Sequence, residues 1–213
     1  MVGNIDKAAA ELKRGNFVII YDGDKREGEA DLVFHASFAD AKKIERMRKD
    51  ASGLICLALG PDESGKLGLK FQTELLRNGG LEKIACEKTA YGDEPSFSIS
   101  VNHKGVFTGI SDDDRSLTIR VVDKVLNSDK PYDNFTHNFY APGHIFLLIS
   151  RGIENRRGHT ELATELARRA DLSGAVVICE MLGSGLALDK EDARDYAKKN
   201  WIPFVEGKEF FEV

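Results

Sequence analysis

Cysteine is scarce in this chain of 213 residues, and the three that it has do not pair by spacing. Cys56, Cys86 and Cys179 are odd in number and far apart, so neither a disulfide framework nor a zinc cluster is indicated. They read as small buried hydrophobes. Long apolar runs are missing as well, and nothing approaches the length of a membrane span. Positive charge is not in excess: 30 Lys and Arg stand against 35 Asp and Glu, a net charge of -5. Without a basic field to hold its backbone, nucleic acid is set aside as a partner. Internal repeats and low-complexity linkers are also lacking, and Met1 to Gly15 carries no signal-peptide core. These features lead us to expect one domain over residues 1–213 in a cytoplasmic protein.

What the chain does have is a concentration of acid behind an apolar lead-in. Phe17 to Tyr21 is a short hydrophobic run, and Asp22, Asp24, Glu27, Glu29 and Asp31 follow it, with Lys25 and Arg26 among them. An extended segment from Arg26 to Phe34 would put Glu27, Glu29 and Asp31 on one face. Like charges that close raise one another's pKa unless a cation sits among them, and oxygen ligands of this kind suit magnesium or manganese. A solvated acidic turn is the competing reading. The small Gly28 and Ala30 between the acids favour close approach of a backbone or ligand, which a solvated turn does not require. A helix-loop-helix calcium site is set aside, because Arg26, Glu27 and Val33 stand where it needs a ligand, a glycine and a glutamate.

Periodicity outlines the rest. Ile5, Ala8, Ala9 and Leu12 repeat at helical spacing ahead of Gly15. Ser37 reads as the cap of a helix from Phe38 to about Lys49, and Leu54 to Leu59 as a strand holding Cys56. The signal from Gly60 to Lys88 is weak, and we read that region as irregular. Ser96 to Val101 alternates as a strand. Ser111 with Asp114 makes a capping box for a helix carrying Leu117, Val121 and Val125, so the acids there have a structural task available. Ala141-Pro142-Gly143-His144 breaks the chain before Ile145 to Ile149, a strand buried on both faces, and sets His144 at its mouth. Arg156, Arg157, Gly158, His159 and Thr160 precede a helix from about Glu161 to Ala170, where guanidinium charge, free amides and the helix dipole suit a phosphate. Ala175 to Cys179 is another buried strand, followed by Glu180 where open α/β sheets keep their ligands. Lys190 to Lys199 is a charged helix and Ile202 to Val205 a last strand. The expected fold class is α+β, a mixed β-sheet covered by helices, with the strand order not legible. Plainer readings stay beside these: His159 and Thr160 as a helix cap, His144 as a core histidine, and His35, His103 and His137 claimed by no motif.

A carboxylate cluster, two histidines at element boundaries and an arginine-bearing helix start would serve metal-assisted chemistry on a small phosphorylated molecule. Arg26-Glu27-Gly28-Glu29-Ala30-Asp31-Leu32 after Asp22, Pro142-Gly143-His144-Ile145-Phe146, Arg156-Arg157-Gly158-His159-Thr160-Glu161 and Cys179-Glu180 together resemble the signature stretches of the 3,4-dihydroxy-2-butanone 4-phosphate synthases. Gly53 to Leu57, Thr89 to Gly92 and Thr108 to Ser111 with Asp114-Arg115 match as well, so the resemblance covers nearly the whole chain. It implies a lyase of riboflavin biosynthesis that takes D-ribulose 5-phosphate to L-3,4-dihydroxybutan-2-one 4-phosphate and formate. It further implies Mg2+ or Mn2+, and an active site at a homodimer interface. The family's metal ligands fall on Glu27 and His159, and its substrate contacts on Arg26, Asp31, Arg156 to Thr160 and Glu180. Asp22, Glu29 and His144 are expected close by, in proton transfer or orientation. The family's usual Arg-Glu-Asn-Glu-Gly-Asp reads Arg-Glu-Gly-Glu-Ala-Asp here, with every charged position kept. A metal-dependent isomerase of another pentose phosphate and a non-catalytic phosphosugar-binding module are the other two classes, separated by formate release and by sensitivity to chelation.

Overall fold

The computed structural model describes residues 3–211, in which helices and strands are interspersed along the chain. In order they are α1 (Asn4–Lys13), β1 (Val18–Tyr21), β2 (Ala30–His35), α2 (Ala41–Asp50), β3 (Cys56–Leu59), α3 (Pro61–Lys66), α4 (Gln72–Asn78), β4 (Phe97–His103), α5 (Asp112–Leu126), α6 (Pro131–Asn138), β5 (Phe139–Ile149), α7 (His159–Arg169), β6 (Ala175–Glu180), α8 (Lys190–Lys199) and β7 (Phe204–Glu206). The two ends of the expected 1–213 domain lie outside the described residues. The strands form one sheet in the order β4-β5-β3-β6-β2-β1-β7. β3 and β5 run parallel, as do β1 and β7, and the other neighbours are antiparallel. This is the mixed, helix-covered α+β sheet that the sequence predicts.

The central strands are buried on both faces because each face has its own helical cover. On one face Leu32, Phe34, Leu57, Leu59 and Val177 pack with Ile44 and Met47 of α2 and Ile119 and Val122 of α5. On the other, Val18, Ile20, Val33, Ala58, Val176 and Ile178 pack with Ala8 and Leu12 of α1 and Leu162, Ala163 and Leu166 of α7. Asp31 and His35 share the α7 face with Val33, since side chains alternate along a strand. The β2–β6 register sets Asp31 opposite Glu180 and His35 opposite Val176. Two acids 149 positions apart in sequence thus meet at one end of the sheet, beneath the start of α7.

Several local expectations are corrected. Residues 22–29 are not extended: β1 and β2 form a hairpin paired up to Tyr21 and Ala30, and Gly28 has a φ of +70°, a conformation that glycine takes without strain. The second helix starts at Ala41 and is capped by Asp40, which accepts the Lys43 amide at 2.7 Å, whereas Ser37 lies in a short 3-10 turn. Residues 60–88 contain α3 and α4; α4 buries no residue, so it carried no amphipathic pattern to read. The buried face of α5 runs through Ile119, Val122, Val125 and Leu126, so Leu117 and Val121 are only half-buried. α6 was not anticipated. β5 begins at Phe139, and Ala141–His144 bulge out of its ladder with β4 where the register jumps. Gly143 permits that bulge, because a Cβ there would lie 1.9 Å from the Val101 carbonyl carbon.

Candidate active site

The hairpin loop is folded around one carboxylate. Asp22 is buried and accepts the backbone N–H groups of Glu27 (3.0 Å), Gly28 (3.1 Å) and Glu29 (3.1 Å). Its oxygens are committed to shaping the loop, which turns Arg26 and Glu27 toward the sheet end. A second carboxylate does the same for the start of α7. Glu161, fully buried, accepts the amides of Arg151 (3.0 Å) and Gly158 (3.2 Å) and the Arg156 guanidinium (2.6 Å). Arg156 is therefore fixed, with its remaining nitrogens facing Glu27 Oε1 at 3.7 Å and Asp93 Oδ2 at 3.4 Å. The Gly158 amide is taken by Glu161, which leaves His159 and Thr160 to present the open first-turn amides.

His159 stands between the two constructions. Its Nε2 lies 3.1 Å from the Glu29 carbonyl oxygen and 3.7 Å from Asp31 Oδ1, while Nδ1 lies 3.7 Å from Glu27 Oε2. A ring that donates Nε2–H to the carbonyl keeps its Nδ1 lone pair toward Glu27, the backing that metal-binding histidines ordinarily have. Nδ1 and Glu27 Oε2 are near enough to share one ion, since two bonds of about 2.1 Å span about 4.2 Å. Asp31 Oδ1 is buried and no described donor reaches it, and the buried donors Arg26 Nη1 and Arg156 Nε find no described acceptor. Unpaired buried acceptors and donors are costly and mark a place where something else binds. The residues present therefore fit a divalent cation with an anionic ligand beside it. Asp22, Glu27 and His159 also bring one ligand atom each within 4.8 Å of one another, with Asp22 the one already spent on amides.

The charges are strongly perturbed. Burial, reinforced by Glu180, Glu27 and Glu29 and only partly offset by His159, pushes Asp31 up to about 7. Burial also raises Glu180 and Glu29, each next to another acid. Glu27 behaves oppositely: burial opposes its charge, but His159, Tyr91 and Arg26 hold it down to about 2. Burial by itself would strip His159 of its proton, yet Asp31, Glu27 and Asp22 reverse that and raise it to about 10. The imidazolium thus occupies, electrostatically, the role a metal cation would take, and metal binding there must release that proton.

These groups open on a pocket of about 380 Å³ whose lining includes Glu27, Asp31, Arg156, His159, Thr160 and Glu180. The model of the 3,4-dihydroxy-2-butanone 4-phosphate synthase family matches residues 6–213. The chain belongs to that family. The synthase of Methanosarcina acetivorans is 40% identical to it over 223 residues, covering 99% of this chain and 90% of the relative. A crystal structure of the Candida albicans synthase matches with a TM-score of 0.76 at 28% identity, over 99% of this chain and 97% of that one. Another synthase structure, in complex with two magnesium ions, matches with a TM-score of 0.79 at 26% identity, over 97% and 94% of the two chains.

Within this synthase fold the expected site residues divide. Glu27, Asp31, Arg156, His159, Thr160 and Glu180 line the pocket, Arg26 stands beside it against Glu27 and Asp93, Glu29 meets His159 through its backbone carbonyl, and Asp22 and Gly158 support the loop and helix start from behind. Arg157 does not join them: it is exposed and stacks its guanidinium 4.0 Å over the Phe211 ring. His144 is exposed on the β5 bulge, where its ring meets the Asn102 amide at 3.1 Å, and it lines no part of the pocket within this chain. All three cysteines line the pocket and are free; burial raises the Cys56 and Cys179 thiols, which keeps them neutral. Sequence reasoning missed Asp93 itself, although the matched stretch Thr89 to Gly92 ends directly before it and the Gly92-Asp93 pair is turn-forming.

Proposed function

We propose that the chain is a lyase of riboflavin biosynthesis that converts D-ribulose 5-phosphate to L-3,4-dihydroxybutan-2-one 4-phosphate and formate, with residues 1–213 acting as one synthase domain. The observation that carries this reading is the unsatisfied Asp31 carboxylate beside the Glu27–His159 pair, at the foot of a helix guarded by Arg156. Glu27 and His159 would hold Mg2+ or Mn2+, and that ion supplies a Lewis acid for charge developing on the sugar oxygens. The reaction begins with removal of a proton next to the ketose carbonyl. Asp31 suits this as general base, because a carboxylate raised to about 7 is both ionised near neutrality and basic enough to accept a carbon-bound proton. Glu180, directly across the β2–β6 ladder, stands ready to relay protons in later steps. Arg26, Arg156 and the His159 and Thr160 amides would grip the phosphate, so that binding far from the reacting carbons positions them. Five carbons leave as four plus one, and atoms balance without an oxidant.

The expected homodimer with a shared site is part of the same reading. Phe107 is 94% exposed and Leu54, Ile110 and Tyr140 are exposed as well, an apolar surface that a monomer has no use for. Tyr140 and His144 both bond to Asn102, against which Gly109 is packed, so these residues share one surface. A second copy seated there would bring His144 toward a neighbouring pocket. The partner is otherwise a small phosphorylated sugar in the cytoplasm, and no described helix is long and apolar enough to cross a membrane. The test is formate release from ribulose 5-phosphate with magnesium, with and without chelator. Chelator-sensitive formate supports the proposal, whereas ketose conversion without formate would replace it with an isomerase.

A further inference from the structure

The Asp93 carboxylate lies between the two guanidiniums assigned above to the phosphate. It pairs closely with Arg26 Nη2 and lies 3.4 Å from Arg156 Nε. Asp22 and Glu27 also face this pair, at 3.7 Å from Arg26 Nη1 and 3.7 Å from Arg156 Nη2, yet the buried Arg26 Nη1 and Arg156 Nε still lack a hydrogen-bond acceptor, so the carboxylates around the pair do not satisfy it. Asp93 is presented by a built turn: its carbonyl accepts the Thr89 amide at 2.8 Å and the Thr89 hydroxyl at 3.0 Å, and the Gly92 amide donates to the Thr89 carbonyl at 2.9 Å. Tyr91 at the tip stacks over Arg26 at 5.2 Å, and the far end is tethered by Arg151 to Glu94 and the Pro95 carbonyl. Thr89 and Tyr91 line the pocket.

We propose that Asp93 is a built-in competitor for the substrate's phosphate, and that the turn 89–93 is a lid which yields only to a dianion. The inference rests on the phosphate-binding reading of Arg26 and Arg156. A phosphate monoester brings about two charges and three acceptor oxygens, enough to satisfy the nitrogens that Asp93 leaves unpaired. A sugar acid or acetate, with one carboxylate, only exchanges like for like and gains nothing over Asp93. Asp93 thereby acts as a specificity-determining residue that raises the threshold for anions at this subsite without touching the reacting carbons.

The experiment titrates inorganic phosphate and acetate against wild-type protein, D93N and R156Q by calorimetry in magnesium-containing buffer, and measures KM and kcat for ribulose 5-phosphate. D93N keeps the main-chain turn, and D93A serves as a second variant. The expected result is that both Asp93 variants bind phosphate about tenfold more tightly, the equivalent of removing one charged competitor, and lower KM without raising kcat. Acetate, undetectable with wild type, becomes measurable in D93A. Equal phosphate affinity in wild type and both variants, with R156Q still weakened, overturns the competitor role and leaves the phosphate reading standing. Weaker phosphate binding in the Asp93 variants overturns it as well, by making Asp93 a support of the site. Indifference of R156Q to phosphate and KM removes the subsite itself, and the inference with it.

Discussion

Strand β2 carries a buried titratable group at each end, on the same face and against the same neighbour β6, and the two ends are built to opposite rules. At one end His35 is fully satisfied: its Nδ1 accepts from the Ser37 hydroxyl (2.8 Å) and Ser37 amide (3.3 Å), and its Nε2 donates to the Ser173 carbonyl (3.0 Å). At the other end Asp31 faces Glu180, has an oxygen with no donor and has only His159, 3.7 Å away, as counter-charge. Burial lowers His35, so it stays neutral and structural, and burial raises Asp31, so it is poised to take a proton. Polar burial that is completed from within holds the fold, and polar burial left incomplete marks the site. The same division separates Asp22, closed by three backbone amides, from Glu27 five residues on.

The sharpest break in this contrast is Asp31→Asn. It should reduce kcat by about 10²–10⁴-fold, the usual range for a general base, while the protein remains folded. With wild type, kcat/KM should fall on the acid side of about pH 7, where Asp31 becomes protonated, and the variant's residual rate should lose that limb. Asp22→Ala should act first through the loop: three amides lose their acceptor, which costs about 2–4 kcal/mol in urea unfolding and weakens magnesium binding in calorimetry. His35 gives the smallest effect and a definite sign. Its folded pKa lies below the ordinary value, so its contribution is complete above about pH 6.5 and is lost as the pH falls further, by up to about 1.4 kcal/mol per pH unit. Urea midpoints at pH 7.5, 6.5 and 5.5 should show this slope in wild type and a shallower one in His35→Gln, with formate release at pH 7.5 little changed.

The sequence exposed these two kinds of region unequally. The buried strands, α1, the start of α7 and the fold class were legible, because hydrophobic period and helix-start chemistry are local. The facing of Asp31 and Glu180 was not, since it depends on which strands become neighbours. Glu27 and Glu29 were identified as site residues but placed on a strand that Gly28 turns into a loop. α4 was passed over because it buries no apolar face, although it borders the pocket, and Asp93 was missed although Thr89 to Gly92 before it matched the family. Arg157 and Arg156 are indistinguishable by type and neighbourhood; only Glu161, which anchors Arg156 alone, separates them.

The most direct test of the central claim sets Glu27→Gln and His159→Gln beside His35→Gln in one formate assay with ribulose 5-phosphate and magnesium. The first two should fall to background while keeping their fold, and the third should turn over near the wild-type rate with reduced stability. Formate release at the wild-type rate from Glu27→Gln would contradict the account.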